Sequence, residues 1–254
     1  MGSVVIIVLG PAGSGKSTLV SAYSKWLLSN GYSVVRINLD PAADYVPYEP
    51  DYDIRSLVSA RELAIKEGLG PNSALIAAMD VMCKYLGDVV EYVVNCGADY
   101  VLVDTPGQME VFLFRDASIK LVSSFKDVGL STYALFIVDA ELLKRVRDYA
   151  FLSLLSLATQ LRLGIDVVPV INKVDLLSKE YLSGDVVRDY ELMIKELSSE
   201  EESLYTELLK ELLNVITKYF KATEVPKVSA LKGSGMEDLH RLIHEISCTC
   251  GDLT

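Results

Sequence analysis

Nine residues near the start of the chain, Gly10-Pro11-Ala12-Gly13-Ser14-Gly15-Lys16-Ser17-Thr18, match G-x-x-x-x-G-K-[ST]. Glycines let a backbone turn its N–H groups inward around phosphate oxygens, and a helix that starts here adds the positive end of its dipole. Lys16 is placed to reach the β- and γ-phosphates of a nucleotide, and the Ser17 hydroxyl to ligate Mg²⁺. Glycine makes up only ~7% of an average chain, so these constrained positions are rarely met by chance. The flanks also fit, with an apolar run to Leu9 before the motif and helical spacing through Leu19, Tyr23, Trp26 and Leu27 after it. An ordinary Gly-rich turn is the weaker reading.

Two later segments complete a nucleotide-binding pattern. Asp104-Thr105-Pro106-Gly107 follows the apolar run Tyr100-Val101-Leu102-Val103. A carboxylate at the end of a buried strand is costly unless something pairs with it, and a Mg²⁺ shell is a natural partner. Gly107 can bring its N–H to the γ-phosphate. The competing reading is a turn with an N-capping Asp. Asn172-Lys173-Val174-Asp175 follows the run Val167–Ile171. An ionised Asp175 only accepts hydrogen bonds, which suits the N1–H and exocyclic amine of guanine and not the bare N1 of adenine. Asn172 can brace the loop and approach the other base edge, while the Lys173 stem covers a ring face. Ser229-Ala230-Leu231 lies where a backbone N–H could meet guanine O6. Read alone, N-K-V-D is an αβ loop with Asx chemistry; two strands beyond D-x-x-G, it reads as a base clamp.

Cleaving a phosphoanhydride needs a positioned water and charge neutralisation. Asp40, at the end of the second apolar run, could order or deprotonate the water or join Ser17 and Asp104 around Mg²⁺. Gln108 could orient the water through its amide. Asp40 could instead cap the Pro-rich loop that follows it, and Gln108 could be a solvated helix-start residue. Arg36, Arg55 and Arg115 are arginine-finger candidates by proximity to the motifs alone.

These residues must be held by strands and helices. Six runs rich in Val, Ile, Leu and Tyr read as strands: Ser3–Leu9, Ser33–Asn38, Tyr100–Val103, Tyr133–Val138, Val167–Ile171 and Val225–Val228. Most are continuously apolar, as in strands buried on both faces, and helical stretches separate them, so an α/β parallel sheet with helices on both faces is expected. One domain over 1–254 is expected, with helical insertions at about 41–98 and 178–222. In the first, Leu75, Met79, Met82, Leu86, Val90 and Val93 predict one amphipathic helix with Asp80, Lys84, Asp88 and Glu91 outward. In the second, Leu204, Leu208, Leu212, Val215 and Tyr219 form a stripe, with Ser199 and Glu202 as a capping box.

The chain has 254 residues, half of them apolar, and 35 acidic against 24 basic side chains give a net charge of −11. That composition is globular and argues against holding nucleic acid by bulk charge. No apolar run approaches the ~18 residues of a membrane span. The start offers neither a basic leader nor the Ser or Thr of a myristoylation signal, so a cytoplasmic protein is expected. The four cysteines read as free thiols. His240, His244, Cys248 and Cys250 could gather a zinc, but their spacing is not the usual C-x-x-C, and a solvated terminal helix is the better reading.

The order of these motifs resembles the P-loop GTPases from residue 4 to about 232. It is more narrowly similar to the GPN-loop GTPase family, because Gly70-Pro71-Asn72 lies between Asp40-Pro41-Ala42 and Asp104-Thr105-Pro106-Gly107-Gln108. The resemblance implies a P-loop fold of the kind shared with signal-recognition and MinD-type proteins, and a GTPase with Mg²⁺. It further implies a homodimer in which each Gly70-Pro71-Asn72 loop reaches the other subunit's nucleotide. MinD-type loops carry a lysine near their start, and Gly10-Pro11-Ala12 lacks it, which leaves Asn72 as the group offered in trans. Leu231 stands where many GTPases have Lys. Eukaryotic members of the family are tied to RNA polymerase assembly, which implies a protein partner of that kind. Two other readings stay open: an assembly factor with incidental turnover, and a phosphotransferase, against which the N-K-V-D loop argues.

Overall fold

Along β1 (Val4–Leu9), Val5, Ile7 and Leu9 face one apolar core and Ile6 and Val8 face another, so both sides of the strand are buried. That is the reason for its unbroken apolar sequence. β1 lies inside a six-stranded sheet of order β3-β2-β4-β1-β5-β6, with β2 Val34–Asn38, β3 Tyr52–Asp53, β4 Tyr100–Asp104, β5 Ser131–Asp139 and β6 Val167–Asn172. All pairings are parallel, which sends the carboxyl ends of the strands to a single edge. The computed structural model describes residues 3–177, 186–198, 203–219 and 224–249.

On one face, α1 (Lys16–Ser29) packs with the C-terminal helix α10 (Met236–Thr249) through Leu19, Tyr23, Leu27, Leu239 and Ile243. The other face carries α2 (Ala60–Glu67), α3 (Pro71–Met82), α4 (Leu86–Cys96), α5 (Met109–Leu113), α6 (Asp116–Asp127), α7 (Val146–Leu163), α8 (Val186–Ser198) and α9 (Leu204–Tyr219). Met79, Phe112, Phe125, Met193 and Leu213 from these helices close over Val101, Val103 and Phe136 of the sheet. The α/β expectation therefore holds.

His240 is half-buried among aromatic side chains. Its ring nitrogens meet the Tyr23 and Tyr32 hydroxyls at 2.9 and 3.3 Å, and its ring lies 4.9 Å from that of Trp26. Three elements are tied together there, α1, α10 and the turn after α1. Among the described residues no group of three His, Cys, Asp or Glu could hold a metal. Cys250 lies outside them.

Three sequence expectations change. The helix expected from Leu75 to Val93 is two helices, α3 and α4, joined by a 3₁₀ turn at Cys83–Tyr85. The tighter turn lets Cys83 and Tyr85 pack against the core beside Leu86, and the whole expected stripe stays buried. Val225–Val228 is not a strand. It makes one isolated bridge, Lys227 with Ile171, and Pro226 has no N–H to extend a ladder. The sixth strand is instead the short β3, beyond β2.

In α9 the stripe points the other way. Leu204, Leu208 and Val215 are exposed and Leu212 is half-buried, while Thr206, Leu209 and Leu213 face the core. A second apolar row, Tyr205-Leu209-Leu213, runs beside the expected one, and contact with α7 chose between them. Ser199 and Glu202 lie outside the described residues. The cap seen is Ser203 with Thr206, whose side-chain oxygens each accept the other's backbone N–H, at 3.2 and 2.9 Å. Leu209→Ala should therefore lower unfolding free energy by about 2–5 kcal/mol. Leu208→Ala should change it by no more than about 0.5 kcal/mol, and urea midpoints compared at constant slope measure both.

Candidate nucleotide site

Parallel strands in an open α/β sheet place their loops at one crevice, where the strand order reverses. Gly10 follows β1, Asp40 lies just past β2, and Asp104, Asp139 and Asn172 are the last residues of β4, β5 and β6. The loop after β1 is close-packed. A Cβ on Gly10, whose φ is +149°, would stand 2.5 Å from the Ile137 carbonyl oxygen, and one on Gly15, with φ +94°, would stand 2.4 Å from Asn172 Nδ2. Both positions require glycine on geometry and space together. Gly15 is the N-cap of α1, and no side chain caps that helix. Its first N–H groups are thus available to an anion.

Lys16 is buried beneath this loop. Its Nζ donates to the carbonyl oxygens of Gly10 at 2.9 Å, Pro11 at 3.1 Å and Gly107 at 3.1 Å. Burial pulls its pKa down, and the nearby carboxylates of Asp104, Asp40 and Glu110 oppose that. The lysine therefore joins the loop after β1 to the loop after β4.

Asp104 is fully buried. Burial pushes its carboxyl up to about 6, against the pull of the Ser17 and Tyr48 hydroxyls, and the charge of Asp40 adds to the rise. Oδ2 accepts the Tyr48 hydroxyl at 2.9 Å. Oδ1 makes no hydrogen bond of normal geometry among the described residues, and neither does the buried Ser14 hydroxyl of the loop after β1. A buried carboxylate oxygen without a donor, with the Ser17 hydroxyl beside it, is the oxygen-rich setting a hard dication takes. The residues present fit Mg²⁺.

Asp40 grips the same loop. Its Oδ2 accepts the Gly107 N–H at 3.0 Å and its Oδ1 the Ala42 N–H at 2.9 Å. The expected cap on its own turn is therefore present, and the second oxygen holds the D-T-P-G loop. Gln108 is exposed at the start of α5 and makes no capping hydrogen bond. Thr105 anchors the loop from below, donating to the Val8 carbonyl oxygen at 2.7 Å.

Asn172 acts as a strut. Its Nδ2 donates to the Ser14 carbonyl oxygen at 2.9 Å and its Oδ1 accepts the Ala230 N–H at 3.0 Å, so it links the phosphate-loop motif to the last loop. The loop-bracing role expected of it is thus present. Lys173 takes the left-handed conformation, with φ 65°, and its Nζ pairs with Asp139 at 2.7 Å. The Ser229 hydroxyl donates to Asp175 and holds its carboxyl below the usual range. Ser229 and Ala230 are buried, whereas Leu231 is exposed. Beside them runs a groove of about 510 Å³, lined by residues that include Thr18, Lys25, Trp26, Pro47, Leu231 and Lys232.

The arginine candidates are already committed. Arg36 pairs with Asp51 at 3.0 Å, Arg55 with Asp53 at 2.6 Å and Arg115 with Asp80 at 3.6 Å. Gly70, Pro71 and Asn72 are exposed; Gly70 is the N-cap of α3 and Pro71 its first residue. Among the described residues no hydrogen bond joins Asn72 to the cluster around Lys16 and Asp104. Sequence reasoning passed over Tyr48. The only signal was its place in the Pro/Tyr-rich run after Asp40, and a tyrosine there reads equally well as surface.

A family model described as a conserved hypothetical ATP-binding protein matches residues 8–249. A GPN-loop GTPase of Pyrococcus abyssi is 35% identical over 99% of this chain and all of its own length. GPN-loop GTPase 3 of Dictyostelium discoideum is 29% identical over 97% of this chain and 86% of its own. The crystal structure of the P. abyssi protein, titled a GTPase in apo form, superposes with a TM-score of 0.86 over 98% of this chain and 100% of that one. At this identity and coverage, this chain belongs to the GPN-loop GTPase family.

Proposed function

We propose that the protein binds GTP across the carboxyl edge of its sheet and hydrolyses it to GDP and phosphate. The observation that carries this reading is the convergence of Lys16, Asp40, Asp104 and Gly107 on one side of the edge and Asp175 with Ser229 on the other. Asp175 is an ionised acceptor oriented by a hydroxyl, which favours guanine over the adenine that the family model's description would imply. Gly10, Pro11, Ala12, Gly13, Ser14, Gly15 and Thr18 form the phosphate cradle with Lys16. Ser17 and Asp104, with Asp40 near them, would hold Mg²⁺, which would supply positive charge to the phosphates.

In the chemical step, Lys16 carries positive charge to the γ-phosphate, and Gly107, steadied by Asp40, offers that phosphate its N–H. Gln108, exposed beside Gly107, orients the water. Asn172 and Lys173 shape the base clamp, and the Ala230 and Leu231 backbone closes it. The whole chain acts as one GTPase domain with insertions at about 41–98 and 178–222. Its setting is cytoplasmic; among the described residues no helix is long and apolar enough to cross a membrane.

The working unit in this reading is a homodimer acting as a switch. Gly70, Pro71 and Asn72 are exposed at the start of α3, as a loop serving a second copy must be. Asn72 then adds an amide to the partner's site. The switch serves assembly of a larger protein complex, by family resemblance one related to RNA polymerase. Affinity pull-down with nucleotide locked as GDP or as a non-hydrolysable GTP analogue separates a switch from a scaffold whose turnover is incidental.

Asp175→Asn turns an acceptor into an amide that faces the base's donors. GTP affinity should fall by two or more orders of magnitude while xanthosine triphosphate affinity rises, read by competition against a fluorescent guanine nucleotide. Equal competition by ATP in the wild type would refute guanine selectivity.

Asp40→Ala and Gln108→Ala should each cut kcat by at least about tenfold with GTP still bound. Lys16→Ala should weaken binding as well, because its charge meets the phosphates in the ground state. Single-turnover phosphate release alongside equilibrium binding distinguishes these cases. Light scattering with and without GTP tests the dimer, and a mass fixed at the monomer across concentration excludes it.

A further inference from the structure

The loop between β2 and β3 is pinned at three places before it reaches the site. Asp40 accepts the Ala42 N–H, the Arg55 Nη1 donates to the Ala43 carbonyl oxygen at 3.0 Å, and the Ser21 hydroxyl donates to the Pro47 carbonyl oxygen at 2.8 Å. Val46 is buried, and the ring of Pro47 fixes the backbone just before Tyr48. Arg55 is itself locked by Asp53, which Asn38 at the end of β2 holds at 3.0 Å. So many tethers are not needed to cross from one strand to the next. Their joint effect is to deliver the residue after Pro47 to a set position, and the Tyr48 hydroxyl arrives 2.9 Å from Asp104 Oδ2.

Asp104 has two oxygens with different fates. Oδ2 is satisfied by Tyr48, and the buried Oδ1 is left without a hydrogen bond among the described residues. A carboxylate free to rotate would exchange its two oxygens; one held by a hydroxyl on a tethered loop does not. The Tyr48 hydroxyl is a phenol facing an acceptor-only carboxylate oxygen, so it is the donor of this bond. The arrangement is also coupled to the phosphate loop. Ser21 lies one turn after Ser17 on α1, so one helix carries both the Mg²⁺-binding hydroxyl of the proposed site and the anchor of Pro47.

We propose that Tyr48 is a positioning residue for the divalent cation: its hydroxyl pins Asp104 Oδ2 and thereby presents Oδ1 to the Mg²⁺ shell. The inference rests on the reading that Asp104 belongs to that shell. It assigns the Pro/Tyr-rich loop a role in metal affinity, distinct from the contact of Asp40 with Gly107. Because outer hydrogen bonds hold ligating carboxylates in place, their loss costs metal affinity without removing any ligand. The opposite arrangement is a plug, in which Tyr48 competes with the cation for Asp104.

The test is a Mg²⁺ titration of the GDP-bound full-length protein, followed by release of a fluorescent GDP analogue, with Tyr48→Phe against wild type. The phenylalanine keeps the ring and its packing and removes only the donor. The Mg²⁺ concentration at half effect should rise by about tenfold or more, while GDP affinity in excess EDTA stays unchanged. Unchanged or tighter Mg²⁺ binding overturns the proposal, and tighter binding identifies the plug. Equal losses with and without Mg²⁺ also overturn it, since that is what a merely structural role predicts. If Tyr48→Phe does not fold, Ser21→Ala carries the test: it frees Pro47 and should weaken Mg²⁺ binding in the same direction, and no change there overturns the proposal. Asp104→Asn separates the two levels. A full Mg²⁺ response in that variant removes the underlying site and this inference with it, whereas a lost response beside a normal Tyr48→Phe removes this inference alone.

Discussion

A carboxylate buried at the end of a central strand is the constraint around which the rest of the site is arranged. Asp104 sits on β4, between β1 and β2, with no exposure to solvent. Leaving such a charge unpaired is expensive, and its carboxyl accordingly moves up to about 6. The protein answers from two separate stretches of chain: the Tyr48 hydroxyl from the loop after β2, and the Ser17 hydroxyl with the nearby charge of Lys16 from the start of α1. None of these neutralises it fully. The unsatisfied Oδ1 that remains is the feature on which the proposed cation site rests.

The second organising feature is a set of cross-links between loops that the strands leave separate. Lys16 ties the loop after β1 to Gly107, Asp40 ties the end of β2 to the same glycine, and Asn172 ties the end of β6 both to Ser14 and to Ala230. Each link uses a buried or half-buried polar group on a neighbouring loop's backbone, so loss of one frees a donor or acceptor that is shielded, wholly or in part, from water. A change at Gly107 is therefore felt at the phosphate loop through Lys16 and at β2 through Asp40. This wiring gives a physical route by which loss of a γ-phosphate would reach the chain between β2 and β3, where Tyr48 lies, and which leads on to α2 and α3.

Much of this was legible in the linear chain because the motifs depend on local geometry. A turn that needs glycine at Gly10 and Gly15, followed at once by Lys16 and Ser17, can be read without knowing what lies opposite. Continuous apolar runs announced five of the six strands for a similar reason, since burial on both faces leaves no polar alternation. Helix faces were less secure. The stripe through Leu75, Met79, Met82, Leu86, Val90 and Val93 was correct in burial although the helix breaks at Cys83–Tyr85, whereas in α9 the apolar residues are too many to choose a side. There the neighbouring helix decided, and Leu209 and Leu213 went inward in place of Leu204 and Leu208.

The sequence by itself determined which residues could do phosphate and base chemistry and in what order the strands would deliver them, because those depend on residue type, spacing and the sheet's directionality. Only the tertiary structure decided which groups would meet. Tyr48 carries no motif, and its hydroxyl reaches Asp104 across 56 positions of chain; Asn172 was expected to brace its loop, and only the fold shows that it does so on Ser14, 158 positions away. Arg36, Arg55 and Arg115 looked available and are each held by a nearby acid. β3 replaced Val225–Val228 as the sixth strand because Pro226 cannot extend a ladder, while Tyr52 and Asp53 find β2 beside them. Long-range pairing of polar groups obeys burial and reach in three dimensions, and neither is written in the local pattern of a sequence.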